Sequence, residues 1–144
     1  LKLGEKADPA KLPRIYFVNW FRKDKRGKFV WPGFGENSRV LKWIVDRLDG
    51  KAAAVDTPIG RVPTPESLDL NGLALSDEQL ELLLSVDPVV WAEEAGLILD
   101  DYARYGDRLP AALLQEHDAL LDRLSAARKA GKPAAQAGAL AAAE

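Results

Sequence analysis

The sequence predicts an α+β fold, a buried β-hairpin followed by a mainly helical C-terminal half. Three observations carry that reading. Ile15-Tyr16-Phe17-Val18-Asn19-Trp20-Phe21 is an apolar run rich in β-branched and aromatic residues, the pattern of a strand buried on both faces. Lys28-Phe29-Val30-Trp31 supplies a second strand, and Asp24-Lys25-Arg26-Gly27 between them is good turn chemistry, with Asp opening the turn and Gly free to take positive φ. From Ser76 onward, helix caps and apolar stripes recur at helical spacing.

Along the chain, Leu1-Lys2-Leu3-Gly4 reads as a helix end and Asp8 to Pro13 as a proline-punctuated connector. The hairpin comes next. Two strands do not form an independently stable sheet, so a doubly buried first strand requires neighbours on chain outside this sequence. Trp31-Pro32-Gly33-Phe34-Gly35 ends the hairpin, and Asn37 or Ser38 is placed to cap a helix from about Arg39 to Asp49 that Gly50 stops. Val40, Leu41, Ile44, Val45 and Leu48 share one face of that helix, which is expected to be core.

Between Ala52 and Gly72, Pro58, Gly60, Pro63 and Pro65 break every period, so this stretch reads as loop, a strap over the core. Thr64-Pro65-Glu66 has the chemistry for a single helical turn. Ser76-Asp77-Glu78-Gln79 is a capping box ahead of Leu80, Leu82, Leu83 and Leu84. Asp87-Pro88 caps a second helix with Trp91, Ala95, Ile98, Leu99 and Tyr102 on one stripe, ended by Gly106. A third begins near Pro110, with Leu113, Leu114, His117, Leu120, Leu121 and Leu124 inward. The helical part thus spans 76–129, and the alanine-rich residues 130–144, which lack a stripe to pack with, are expected to form a disordered tail.

Composition narrows the function classes. The 144 residues are 47% apolar and 29% charged, an ordinary soluble mixture with room for one domain at most. No apolar run is long enough for a membrane helix, no secretory signal is present, and a chain opening on Leu1 is expected to have lost its natural start. The lack of cysteine fits a reducing, cytoplasmic setting. A net charge of −2 offers nucleic-acid backbone no general attraction. Arg22, Lys23, Lys25, Arg26 and Lys28 do crowd one turn, where a solvated hairpin tip competes with steering of an anionic nucleotide.

The stretch from Trp20 to Asn37 gathers five aromatic rings, three glycines and a proline just before a helix, and reads as a purine pocket with a nucleotide-binding loop. Phe21, Phe29 and Phe34 supply apolar faces, while Gly33 and Gly35 leave Phe34 without bulky neighbours, so a flat ligand can approach ring and backbone together. Asn37 can select the base, since its amide offers an acceptor and two donors against guanine O6, N1 and N2. That selection requires neighbours that fix the amide's orientation, or backbone N–H groups around Gly35. Glu36 is the lesser candidate acceptor, because a carboxylate entering a helix serves the helix dipole. Asn37 also competes with itself: a side chain capping the helix is less free to hold a base, and Ser38 is able to cap in its place.

His117, the only histidine, has no second histidine to complete a metal site and reads as packed structure. Glu93, Glu94, Asp100 and Asp101 follow helix faces, with nothing to mark an acid–base pair.

Asn19-Trp20-Phe21-Arg22-Lys23 and the run from Phe29 to Trp43, Phe-Val-Trp-Pro-Gly-Phe-Gly-Glu-Asn-Ser-Arg-Val-Leu-Lys-Trp, resemble the carboxy-terminal nucleotide-site segment of GTP-dependent phosphoenolpyruvate carboxykinase. The likeness continues through Thr57-Pro58-Ile59-Gly60 and Val62-Pro63 and, more loosely, through Leu84-Ser85-Val86-Asp87 to Gly106-Asp107-Arg108-Leu109-Pro110. It implies that residues 1–129 are the C-terminal portion of the nucleotide-binding domain of a larger, monomeric α/β enzyme, with the guanine pocket at 20–37. In that family Phe21 and Phe34 match the two rings that sandwich guanine, Phe29 a third that closes the pocket, Asn37 the residue that hydrogen-bonds the base, and Trp20 the wall. The whole enzyme converts oxaloacetate and GTP to phosphoenolpyruvate, GDP and carbon dioxide, with manganese and magnesium.

No Gly-x-x-x-x-Gly-Lys-Ser/Thr run cradles phosphates here, and the family's reactive cysteine and metal ligands have no counterpart in this sequence. The implied role is therefore base recognition without catalytic residues, in an otherwise inactive segment whose partners are a guanine nucleotide and the rest of the enzyme. Two other readings stand beside it: a single-stranded RNA platform stacking bases on the rings and phosphates on the basic turn, and a purely structural aromatic core.

Overall fold

In the computed structural model, which describes residues 2–131, five helices and one short antiparallel strand pair make up the regular structure. The helices are α1 (Lys2–Lys6), α2 (Asn37–Leu48), α3 (Asp77–Leu84), α4 (Pro88–Ala103) and α5 (Ala111–Lys129). The strands β1 (Ala54–Thr57) and β2 (Gly60–Pro63) pair with Val55 opposite Val62 and Asp56 opposite Arg61. The class is α+β. The expectation of a disordered tail falls on residues that, from 132 onward, lie outside the described ones.

The helical half follows its caps. Ser76 Oγ accepts from the Gln79 N–H while Gln79 Oε1 accepts from the Ser76 N–H, closing the capping box. Asp87 accepts from the Val89 N–H at 2.8 Å, with Pro88 as the first helical residue of α4. Helices α4 and α5 pack together around Ala95 and Leu124, 2% and 1% exposed. His117 is buried on the same seam, where its Nε2–H donates to the Ala95 carbonyl at 3.0 Å. Its role is structural, and its tautomer is set by an acceptor that has no proton to give. Gly106 opens a 3-10 turn, Gly106–Arg108, rather than simply stopping α4, which ends at Ala103.

Helix α2 ends in a Schellman motif: Gly50 takes φ +74°, its N–H meets the Arg47 carbonyl, and the Lys51 N–H reaches back to Asp46 at 2.7 Å. Its start departs from the expected cap. Neither Asn37 nor Ser38 caps the helix; Ser38 Oγ donates to the Gly35 carbonyl instead. The 3-10 turn Phe34–Glu36 runs straight into α2, so backbone carbonyls receive the first N–H groups and no side-chain oxygen is required.

Three other expectations are corrected. The stretch 52–72 is not all loop: β1 and β2 form a two-residue hairpin around Pro58 and Ile59, too short and too proline-bounded to register as strand in the sequence. Ile15–Phe21 forms no ladder, although it keeps the period of two: Tyr16, Val18 and Trp20 are half-buried, whereas Ile15, Phe17 and Phe21 are 92%, 89% and 67% exposed. Among the described residues no strand lies beside it. The hairpin it should open is reduced to the Lys23–Phe29 bridge and its turn.

The third correction concerns the apolar face of α2. Leu41, Val45 and Leu48 are 55%, 55% and 56% exposed, and the buried residue is Trp43. That indole holds the strap: its Nε1–H donates to the Ala53 carbonyl and Ser67 Oγ, and its ring meets Tyr16 edge-on at 6.2 Å. The periodicity identified an apolar stripe correctly, but a stripe does not say whether its cover lies within the same chain.

Candidate functional site

The basic turn is built as its sequence requires. Asp24 Oδ1 accepts from the Arg26 and Lys28 N–H groups, Gly27 takes φ +76°, and these hydrogen bonds, led by that from Lys28, hold the Asp24 carboxyl below the ordinary aspartate range. Arg22 is not part of a phosphate-facing cluster. It turns inward to the C-terminal end of α3, donating to the Leu83 and Ser85 carbonyls at 3.3 and 2.9 Å and to Ser85 Oγ at 2.9 Å. A cation is well placed there, because unpaired carbonyls make a helix C-terminus negative. Burial lowers its pKa, and Nε is buried with no acceptor, so the guanidinium is a tie held by one edge. Replacing it by Ala is expected to lower stability by about 2 kcal/mol, the scale of lost charge-assisted hydrogen bonds. Thermal unfolding of the protein carrying Arg22→Ala checks this, and an unchanged midpoint would contradict the tie.

Beyond that tie, Phe21 and Phe29 meet edge to face, 5.9 Å between centroids, and Lys23 Nζ lies 5.2 Å from the Phe29 centroid. Val30 and Trp31, 4% and 7% exposed, then anchor the chain in the core. The chain leaves that anchor by an unusual route. Gly33 takes φ 79°, ψ −171°, a region open to glycine alone, and Phe34 follows at φ +48°. Among the described residues Phe34 is the only non-glycine with positive φ, and it is 96% exposed. Gly35 is exposed and has open space where a Cβ would stand.

Such a backbone costs on the order of 1–3 kcal/mol, and an exposed ring returns no packing to offset it. The loop thus holds a bare aromatic face outward, with no ring of the described residues stacked on it. Trp20, from the alternating segment, is half-buried nearby in sequence. Glu36 is engaged sideways: one carboxylate oxygen accepts from Arg39 Nε, and Arg39 also donates to the Asp69 and Asn71 carbonyls at 2.7 and 2.9 Å. Glu36 and Arg39 together bind the loop to the strap.

Asn37 occupies the first turn of α2, and its Oδ1 accepts the Trp31 indole N–H at 2.8 Å. Sequence reasoning missed that contact. The available signal was the chemistry of tryptophan, whose buried N–H needs an acceptor within reach.

An open depression of about 630 Å³ lies elsewhere, between Lys42 and residues 65–71. The Phe34 loop does not line it. Among the described residues no three His, Cys, Asp or Glu side chains converge as a metal site, and no helix is long and apolar enough to cross a membrane.

Residues 1–123 match the family described as phosphoenolpyruvate carboxykinase C-terminal P-loop domain. The phosphoenolpyruvate carboxykinase [GTP] of Renibacterium salmoninarum is 54% identical over 124 residues, covering 86% of this chain and 20% of the relative. The proteins of the same description from Paenarthrobacter aurescens and Neocallimastix frontalis are 52% and 49% identical, over 86% and 88% of this chain and 20% and 21% of theirs. The chain spans about one fifth of the length of these relatives, and across that fifth the loop from Phe29 to Asn37 lies inside the matched region. On this similarity the chain belongs to the GTP-dependent phosphoenolpyruvate carboxykinase family, as part of its C-terminal P-loop domain.

Proposed function

We propose that this chain is the guanine-recognition segment of a GTP-dependent phosphoenolpyruvate carboxykinase, with Phe21 and Phe34 flanking the base, Phe29 and Trp20 walling the pocket, and Asn37, assisted by Gly35 and Glu36, at the base edge. The parent enzyme converts oxaloacetate and GTP to phosphoenolpyruvate, GDP and carbon dioxide, a cytoplasmic step of gluconeogenesis. Manganese and magnesium, the phosphate loop and the catalytic groups belong to the remainder of that enzyme, and the segment by itself is inactive.

The observation that carries this reading is Phe34, an exposed ring on a left-handed backbone beside a glycine-only residue. A structural core does not put its strain into a residue that packs against nothing. The bare faces of Ile15 and Phe17 and of Leu41, Val45 and Leu48 support the second half of the reading, since an apolar run and an apolar helix stripe left this exposed need the rest of a larger domain as cover. Withdrawal of Arg22 into α3 weakens the RNA alternative, which needs that guanidinium on a phosphate.

The test is a titration of the full-length enzyme followed by tryptophan fluorescence, with GTP and a short single-stranded oligonucleotide as competitors. Saturable binding of GTP with a much weaker response to the oligonucleotide is expected. Tighter oligonucleotide binding would transfer the loop to the RNA reading.

A further inference from the structure

We infer that Trp31 is a positioning residue that fixes the polarity of the Asn37 carboxamide and thereby selects a 6-oxo purine over a 6-amino purine. The inference rests on the proposed base pocket and adds to it the residue that decides which end of the amide faces the ligand.

The step follows from hydrogen-bond inventory. A carboxamide has an oxygen that accepts and a nitrogen that donates, and the two are nearly isosteric, so an unrestrained Asn reads either a carbonyl or an amino group. An indole N–H donates and cannot accept. The Asn37 atom 2.8 Å from Trp31 Nε1 must therefore be the oxygen, whichever way an amide is first drawn. Trp31 is itself buried, 7% exposed, just before the Gly33–Phe34 turn.

With Oδ1 held, the outward arm is Nδ2 and carries two N–H donors. Among the described residues no acceptor meets Nδ2, and it is not shut away from solvent. Asn37 is also released from capping, because the 3-10 turn supplies the start of α2. A donor that is fixed, unpaired and accessible selects a ligand edge bearing an acceptor. Guanine and hypoxanthine offer O6 there; adenine offers a second donor, which leaves two N–H groups facing each other. The specificity is a matter of an unpaired donor rather than of shape, since each of the three bases offers a π-face to Phe34.

The experiment measures GDP, IDP and ADP affinities by calorimetry in the full-length enzyme and in its Trp31→Phe and Asn37→Asp variants. Trp31→Phe keeps an aromatic ring and deletes the N–H, so the amide is free to flip. The ADP-to-GDP ratio of dissociation constants is expected to fall by roughly tenfold or more, the scale of one lost base-edge discrimination. General loosening of the loop would weaken GDP and ADP alike and leave the ratio unmoved. Asn37→Asp, which leaves the buried indole in place, turns an acceptor outward and is expected to erode the preference for GDP and IDP together. Retention of the full GDP preference by Asn37→Asp would mean that position 37 accepts from N1 and N2, and would overturn the inference. So would an unchanged ratio in a folded Trp31→Phe protein. A Phe34→Ala control separates this from the pocket itself: if that variant binds GDP normally, the pocket assignment fails; if it binds weakly, and Asn37→Asp loses the GDP preference while Trp31→Phe keeps it, only the orienting role of Trp31 fails.

Discussion

Phe34→Ala in the full-length enzyme is expected to weaken GTP binding roughly 5- to 150-fold, the equivalent of about 1–3 kcal/mol for one lost base–aromatic stack. The melting temperature without nucleotide should scarcely move. The two halves of that expectation have the same origin: a ring 96% exposed leaves no cavity when truncated, so nothing is lost except what the ring does for a ligand. Phe34→Gly extends the test. Glycine accepts φ +48° without a Cβ clash, so this variant should lose as much affinity as Phe34→Ala while the ligand-free protein becomes modestly more stable, by up to about 1–2 kcal/mol. A strained residue kept for binding predicts that opposition between affinity and stability. An affinity unchanged in both variants would remove the stacking role.

What was legible in the sequence divides along the range of the interactions. The capping box at Ser76, the Asp87-Pro88 start of α4 and the Asp24 to Gly27 turn were each readable because every partner lies within four residues. Gly50 as the end of α2 belongs with them. The apolar run of Ile15–Phe21 was also plain in the sequence, but burial on both faces depends on neighbours that periodicity cannot locate. The same holds for the stripe of Leu41, Val45 and Leu48.

For the candidate site, composition and spacing pointed to the Trp20 to Asn37 stretch, whereas its geometry is a property of the fold. Positive φ at Phe34 is a three-dimensional property of a residue that statistically avoids it, so no propensity argument finds it. The Trp31–Asn37 contact spans six residues across a turn and is set by how the 3-10 segment enters α2. Arg22 was grouped with its cationic neighbours in sequence, but its partners are 61 and 63 residues away. A charged residue flanking a turn is a surface residue by default, and only the unpaired carbonyls at the end of α3 make it otherwise.

Trp43→Ala should behave in the opposite way to Phe34→Ala. The indole is 5% exposed, joins α2 to the strap through Ala53 and Ser67, and meets the segment before Phe21 through Tyr16. Its removal combines a large cavity with the loss of two hydrogen bonds, for an expected loss of about 3–5 kcal/mol, enough to unfold a marginal domain. Trp43→Phe fills most of the volume but cannot donate, and should lose about 1–2 kcal/mol from the unmade hydrogen bonds. The ranking Ala well below Phe below wild type, read from apparent unfolding midpoints, checks the assignment. Affinity provides the contrast: Trp43 makes no ring contact with Phe34 and no hydrogen bond to Asn37, yet it holds the helix on which Asn37 stands and the segment that leads into Phe21. At a temperature where Trp43→Phe is folded, its GTP affinity should stay within a few-fold of wild type. A loss as large as that in Phe34→Ala would mean that the pocket is shaped by the α2 core as a whole, and that the exposed ring is not the principal contact.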